Sequence, residues 1–337
     1  MFDNYSETRN EGSDRPKIEV DWRALDEYTV ETAGLETPEV LVGVVTGIVD
    51  LGIQAQEDAE FPFEGNEQDE ADAIADKPDT YFITKKDERT GKMIRFKCYP
   101  QKAIQSVAIA VDFPEIQLDK GQFFGDDSGQ TAPLRLWLGG QFYNSAVQGM
   151  VVGRPTPLKL TKNTKGHWSL HPLNIFYKMA LAAGLIKTDD VFLPANIDQL
   201  IGKAFLFEAQ VFFKEVKDKK YFTEKVNFKS KVSRGQAIPD TTDLETFVVQ
   251  FNKPNDPESL KHLRKHVVNT IKSAHNYEGS PIQAQLEQVK PYLADDKASK
   301  PVEPEKTSSA PAETKKRAGK TTPVKPPVDE DDPDVPF

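Results

Sequence analysis

The sequence predicts a mainly β protein with some helix, and three observations support that prediction. A β-branched run interrupted by glycines extends over residues 38–54, and two hairpin patterns follow at 81–99 and 203–231. Helical periodicity is limited to one central segment and to the last part of the body. β-branched and aromatic residues favour strands, whereas apolar residues spaced three and four apart favour helices. We therefore expect one folded body over residues 38–293 between two polar ends.

The first predicted strand contains three glycines, Gly43, Gly47 and Gly52. Glycine inside a strand marks a bulge or a sharp bend. A long, bent first strand suits a small closed barrel, because barrel strands have to turn corners. The segment that follows, residues 57–79, holds ten carboxylates against a single lysine and is expected to be a mobile acidic insertion.

The later elements have clear boundaries in the sequence. Turn residues, prolines and glycines separate the apolar segments. The predicted strands are 81–86, 92–99, 104–112, 134–138, 158–161, 203–214 and 221–231, and the predicted helices are 172–186, 258–276 and 280–293. This order favours an OB-like Greek-key barrel with large insertions and C-terminal helices. An unrelated α+β packing of strands remains the alternative.

The charge of the chain is unevenly distributed. The net charge is −10, but residues 1–80 carry −17 and residues 329–337 carry −5, which leaves +12 on the rest. We expect a disordered acidic leader at 1–37, a flexible linker at 294–328 and an acidic tip at 329–337. A basic body between acidic ends is typical of a nucleic-acid binder whose ends compete with the ligand. Ordinary charge patchiness is the alternative.

Several predicted strands combine cations with an aromatic ring on one face. Alternation places Ile94, Phe96 and Cys98 on one face of their strand and Arg95, Lys97 and Tyr99 on the other. Cations neutralise phosphates and rings stack on bases, which is what binding of single-stranded DNA without sequence preference requires. Core packing is the alternative for each ring. The predicted DNA-binding residues are Lys85, Lys86, Arg95, Lys97, Tyr99, Arg135, Trp137, Lys159, Lys162, Trp168, Tyr221, Lys225 and Lys229.

Catalytic and metal-binding motifs are absent from the sequence. Neither a phosphate-binding glycine loop nor a nucleophile elbow occurs, and Cys98 is the only cysteine. His262 and His266 lie four residues apart, but their lysine- and arginine-rich surroundings disfavour a metal ion. We expect no enzyme activity, cofactor or metal. A metal-dependent nuclease using Asp198, Glu215 and Lys217 is the alternative function, and an adaptor protein without affinity for nucleic acid is a third.

The sequence also bears on location. The first residues are polar and acidic, unlike a signal peptide, and the longest apolar run, residues 40–49, is too short to span a bilayer. A single cysteine allows no disulfide within the chain. We expect a soluble cytoplasmic protein without a membrane partner.

The last nine residues form a compact acidic and aromatic segment. They hold five carboxylates and end in Val335-Pro336-Phe337, where the ring and the α-carboxylate of Phe337 form one ligand. This tip resembles the C-terminal tip of bacterial and bacteriophage single-stranded DNA-binding proteins, in which an acidic tail ends in Asp-Ile-Pro-Phe. Here Val335 replaces the isoleucine and Pro333 interrupts the acids.

The resemblance to the bacteriophage family implies a function. Such a protein coats single-stranded DNA during replication, recombination and repair in the cytoplasm of the bacterial host. It recruits a polymerase, helicase, primase or nuclease through its tip, which also competes with DNA for the basic surface. The partner-binding residues that the resemblance implies are Asp329, Glu330, Asp331, Asp332, Asp334, Pro336 and Phe337.

Overall fold

The computed structural model describes residues 20–86, 91–125, 128–139, 154–216 and 219–289. These residues form a mainly β protein, which confirms the predicted fold class at that level. The strands are β1 (Glu39–Gln54), β2 (Ala59–Pro62), β3 (Tyr81–Lys86), β4 (Met93–Tyr99), β5 (Ile104–Leu118), β6 (Ala132–Leu138), β7 (Thr156–Pro157), β8 (Leu160–Lys162), β9 (Trp168–Leu170), β10 (Ala204–Val216), β11 (Lys219–Lys231) and β12 (Phe247–Val249). The helices are α1 (Trp22–Ala33), α2 (Glu67–Asp76), α3 (Ile175–Ala182), α4 (Pro257–Lys261), α5 (Lys265–Lys272) and α6 (Pro281–Val289).

The largest sheet has seven strands and follows the order β11-β10-β1-β5-β6. Each neighbouring pair on this path is antiparallel, while β7 pairs with β5 and β12 runs parallel to β1. The sheet is not closed: among the described residues β6 and β11, at its two ends, form no ladder. Arg264 joins these ends instead, because its Nη1 donates to Glu224 of β11 (2.7 Å) and its Nη2 donates to the carbonyl oxygen of Arg135 in β6 (2.7 Å).

Strand β1 contributes to two hydrophobic cores, one on each face of the sheet. Val45 and Ile48 belong to the first core, which α1 and α3 cover. Val49 and Leu51 belong to the second core, which β12 and the helices α4–α6 cover. The change of face between Ile48 and Val49 follows from strand alternation. A strand buried on both faces is expected to be rich in valine and isoleucine, as β1 is.

The glycines of β1 allow aromatic rings to approach its backbone. A Cβ atom on Gly47 would lie 2.2 Å from the ring of Phe247, and one on Gly52, at φ 77°, would lie 2.3 Å from the ring of Phe251. The pairing of β1 with β5 shifts register twice, near Gly47 and near Gly52. The bends predicted from these glycines are therefore confirmed, and the glycines also make room for the second core.

The N-terminal segment differs from the prediction. Residues 22–33, within the expected disordered leader, form α1, whose Val30 and Ala33 lie in the first core. Asp21 caps the helix by accepting from the amide of Ala24 (3.0 Å), and Gly34 ends it at φ 63°. Both capping residues are visible in the sequence, but the acidic residues on the exposed face made the segment resemble a solvated leader.

The acidic insertion at 57–79 is also more ordered than predicted. It contains β2 and α2, and β2 joins β3 and β4 in a separate three-stranded sheet of order β2-β4-β3. We call residues 59–99 the arm. The predicted helix at 258–276 is two helices, α4 and α5, with a break at 262–264. The linker at 294–328 and the tip at 329–337 lie outside the described residues.

None of the helices in the described ranges is both long and apolar enough to cross a membrane. The longest of them, α1, has twelve residues, whereas a membrane-spanning helix needs about 20.

Replacing Gly47 with alanine should lower the free energy of unfolding by about 1–3 kcal/mol, because the new methyl group would overlap the Phe247 ring. Urea unfolding measures this change. The double variant with Phe247→Leu is the control, since a smaller side chain makes room for the methyl group. If Gly47→Ala lowered the free energy of unfolding equally with Phe247 and with Leu at position 247, the result would contradict close packing of the Phe247 ring on Gly47.

Candidate nucleic-acid interface

One face of the arm sheet carries cations and aromatic rings. Residues directly opposite each other in an antiparallel ladder point to the same face. Lys97 lies opposite both Phe61 and Phe82, and Arg95 lies opposite Thr84. The register therefore places Arg95, Lys97 and Tyr99 on one face, as alternation predicts. We call this surface the arm face, and it comprises Phe61, Phe82, Lys86, Arg95, Lys97 and Tyr99.

Phe61 is a candidate binding residue that sequence reasoning missed. Its side chain is 52% exposed, and its ring stacks on Tyr99 with centroids 5.9 Å apart and an interplanar angle of 22°. The ammonium group of Lys77 lies 3.1 Å from the centroid of the Tyr99 ring. Because Tyr99 already has these two partners, Phe61 is the ring of this pair that is better placed to receive a base. The alternation Phe61-Pro62-Phe63 was the available signal, but the acidic residues around it obscured the strand.

Lys85 and Lys86 do not share a face, which corrects the prediction that both line one groove. Lys86 lies opposite Met93 on the arm face, whereas Lys85 lies opposite Ile94 on the other side of the sheet. There the ammonium group of Lys85 pairs with Glu60 at 2.6 Å. Adjacent strand residues point to opposite faces, so only one of the two lysines can contribute to the arm face.

A second cationic and aromatic group lies beside the base of the arm. In the β8–β9 hairpin Lys162 is opposite Trp168, and its Nζ lies 5.5 Å from the centroid of the indole ring. The side chain of Trp168 is 57% exposed. Lys159 Nζ lies 3.4 Å from Gln101 Oε1, just after the arm. The structure therefore places Lys159 beside the end of the arm, while Lys162 and Trp168 share the hairpin that follows it, and we call these three residues together with the arm face the binding end.

The residues predicted on β11 lie elsewhere. β10, the partner of β11, pairs with residues 39–44 at the start of β1, whereas the arm begins after β1 ends at Gln54. Lys229 forms an ion pair with Glu208 (2.8 Å), and Lys225 lies 5.3 Å from the ring centroid of Phe212. Tyr221 lies further along the hairpin, opposite Lys214. The predicted continuous groove is thus divided into two surfaces at opposite ends of β1.

Trp137 is a core residue, so its predicted stacking role is corrected. Its side chain is 3% exposed and packs in the second core, with ring centroids 6.1 Å from Phe247 and 6.3 Å from His266. Alternation along β6 separates Trp137 from the leucines of the first core, as predicted. The opposite face is not open to solvent, however, because β12 and α5 cover it.

Arg135 has a structural role in place of the predicted DNA contact. Its Nε and Nη2 donate to the two carboxylate oxygens of Asp112 at 2.7 and 2.8 Å, and Asp112 is fully buried. The guanidinium group also lies 5.2 Å from the ring centroid of Phe247. A buried carboxylate needs such a partner, so Arg135 is committed to Asp112.

Of the residues considered for metal or catalytic chemistry, those that the structure describes are not brought together into a site. His262 stacks on Phe247 with centroids 4.7 Å apart, and burial lowers the pKa of His266 to about 3, which keeps it neutral. Asp198 precedes β10 and Glu215 lies near its far end, while Lys217 is outside the described residues. Within the described part of the chain, no cluster of three or more histidine, cysteine or acidic side chains could hold a metal ion.

Comparisons of this chain with models of protein families, with curated proteins and with solved structures find no match. Support for a function comes from the residues and their geometry. The binding end combines lysines, an arginine and two exposed rings on two separate small sheets, and side chains of these types can contact phosphates and bases.

Arg135→Met should lower the free energy of unfolding by about 3–5 kcal/mol, because it leaves the buried Asp112 carboxylate without its counter-charge. Thermal or urea unfolding measures the loss. The double variant Asp112→Asn/Arg135→Met is the control. It should recover part of the lost free energy of unfolding, because it removes the buried charge as well. A stable Arg135→Met protein with weakened DNA binding would show that Arg135 contacts nucleic acid after all.

Proposed function

We propose that this protein binds single-stranded DNA without sequence preference and coats it during replication, recombination or repair, without catalysis. The observation that carries the proposal is the binding end, where Phe61 and Trp168 expose rings beside several cations. Stacking on a ring accepts any base, and a lysine accepts any phosphate, so no base identity is required.

Six residues of the binding end contact DNA directly in this proposal. Phosphates run along Lys86, Lys97, Lys159 and Lys162, and two bases stack on Phe61 and Trp168. The lysine beside Trp168 also holds the indole in place through a cation–π contact. The rings and most of the cations lie on strands, which fixes their spacing before DNA arrives and reduces the entropic cost of binding.

The topology supports an open OB-type barrel, and this part of the proposal is an analogy at the level of fold. The path β6-β5-β1-β10-β11 contains five strands in the order expected of such a barrel, which is often only partly closed. OB folds contact nucleic acid through their second and third strands and through the loops after the first and fourth. Here the arm is the connection after the first strand of the path.

The second core explains why binding would depend on the arm. In this analogy, β5 and β6 are the second and third strands of the barrel. Their outer face packs Ala108, Ala110 and Trp137 against the C-terminal helices. A nucleic acid cannot reach those side chains. The connection between β1 and β5 remains accessible, and that is where the cations and exposed rings of the arm lie.

We further propose that residues 329–337 recruit replication or recombination proteins and compete with DNA for the binding end. Five carboxylates next to a proline and a phenylalanine can present charge and a ring to a partner. The +12 charge carried by the chain outside residues 1–80 and 329–337 would attract the same segment.

Titration of the full chain with a labelled oligo-dT at several salt concentrations tests the DNA-binding proposal. The logarithm of the binding constant should fall linearly with the logarithm of salt concentration, and Lys97→Gln or Lys162→Gln should each flatten the slope by about 0.7. Trp168→Ala should weaken binding by roughly 1–3 kcal/mol, the value of one stacked base.

Lys178→Gln is the matched control, because Lys178 is an exposed lysine on α3 that is not among the predicted DNA-binding residues, and it should leave the slope unchanged. A salt-independent affinity would contradict the electrostatic interface. Deletion of residues 329–337 should tighten binding in the same titration, and an unchanged affinity would contradict competition by the tip.

A further inference from the structure

Helix α2 lies against the arm face and engages one of its cations. Arg95 donates from Nε and from Nη2 to the two carboxylate oxygens of Glu70, with 2.7 Å between Nη2 and Oε2. The hydrogen bonds from Arg95 lower the pKa of Glu70, so this carboxylate is charged at neutral pH. A planar guanidinium binds a phosphate in the same two-pronged manner. Glu70 therefore occupies the position at which Arg95 would bind a phosphate.

Only a narrow stripe of α2 meets the sheet. Glu70 and Ala73 are partly buried, and so is Lys77 after the helix, a spacing of three and four residues that marks one helical face. None of the ten residues of α2 is fully buried, and Ile74 is 43% exposed. Releasing α2 from the sheet would uncover no core, so this contact belongs to the least stable part of the arm.

The helix is stabilised from within. Asn66 accepts from the amides of Gln68 and Asp69, and Asp69 accepts from the amide of Asn66, which together form a capping box. A tilted contact between the rings of Phe63 and Phe82, with 4.8 Å between centroids, anchors the chain just before α2. The helix can therefore separate from Arg95 while the chain stays attached, and a ten-residue helix without its sheet contact opens more readily.

The charge of α2 is that of a nucleic-acid mimic. The helix carries five carboxylates, Glu67, Asp69, Glu70, Asp72 and Asp76, and no lysine or arginine. Its one ion pair with the sheet, among the described residues, is made with Arg95 of the arm face, while on the opposite face Lys85 pairs with Glu60 of the sheet itself.

We propose that α2 is a built-in competitor that occupies Arg95 in the free protein and is displaced when a nucleic-acid phosphate takes the place of the Glu70 carboxylate. The inference rests on the proposed function, because it assumes that the arm face binds DNA. Its effect is to weaken binding to short or isolated strands, since every phosphate that reaches Arg95 has to replace an ion pair that already exists.

Glu70→Gln tests the inference, with Glu67→Gln as the matched control. Both variants remove one charge from the first turn of the same helix, but Glu67 is exposed and only Glu70 contacts Arg95. Glu70→Gln should tighten binding of oligo-dT up to about fivefold, and Glu67→Gln should have a clearly smaller effect. The gain should vanish on an Arg95→Gln background, because no guanidinium remains to be released.

The outcomes separate the inference from the proposed function. Absence of DNA binding by the wild-type chain and by every variant would overturn both. Two results would overturn the competitor role alone, provided that the wild type binds DNA. One is an equal effect of Glu70→Gln and Glu67→Gln on affinity. The other is a gain in affinity from Glu70→Gln that persists on the Arg95→Gln background. Faster amide exchange in residues 67–76 upon addition of oligo-dT is the expected second signature, and slower exchange there would contradict displacement.

Discussion

The packing of Phe247 and Phe251 against the backbone of β1 is the constraint on which the rest of the structure depends. It requires glycine at positions 47 and 52, and it allows β12 to pair beside β1 while the C-terminal helices cover the outer face of the sheet. β1 thereby belongs to two cores at once. Since the covered face includes β5 and β6, the side chains on the outer face of these two strands are closed to a ligand.

Burial determines which cations stabilise the fold and which can bind a phosphate. Arg135 neutralises the buried Asp112, and Arg264 links the two ends of the open sheet through Glu224 and the carbonyl oxygen of Arg135. Both arginines hold parts of the fold together. Lys97 and Lys162, in contrast, lie on hairpins that project from the main sheet, where a cation can bind a phosphate without loss of a buried partner.

Local pattern was sufficient to predict much of this arrangement. The bent first strand, both long hairpins and the grouping of Arg95, Lys97 and Tyr99 follow from glycine placement and from strand alternation, which are short-range properties. The burial of Trp137 could not be predicted in this way. Alternation shows that a strand has two faces, but whether the second face is covered depends on Phe247 and His266, which are distant in sequence.

Acidic composition concealed two helices. In both α1 and α2 the carboxylates suggested solvated, unstructured segments, although Asp21 and Asn66 were available as N-caps. Phe61 was missed for the same reason. Composition therefore predicts only a charged insertion at α2, because the contact of Glu70 with Arg95 joins residues 25 positions apart.

Amide hydrogen exchange of the full chain, with and without saturating oligo-dT, locates the bound surface without any substitution. If DNA contacts the binding end, exchange should slow in residues 81–86, 93–99 and 160–170, which cover β3, β4 and the β8–β9 hairpin. Unchanged exchange in these segments, with protection confined to residues 219–231 of β11, would contradict contact at the binding end.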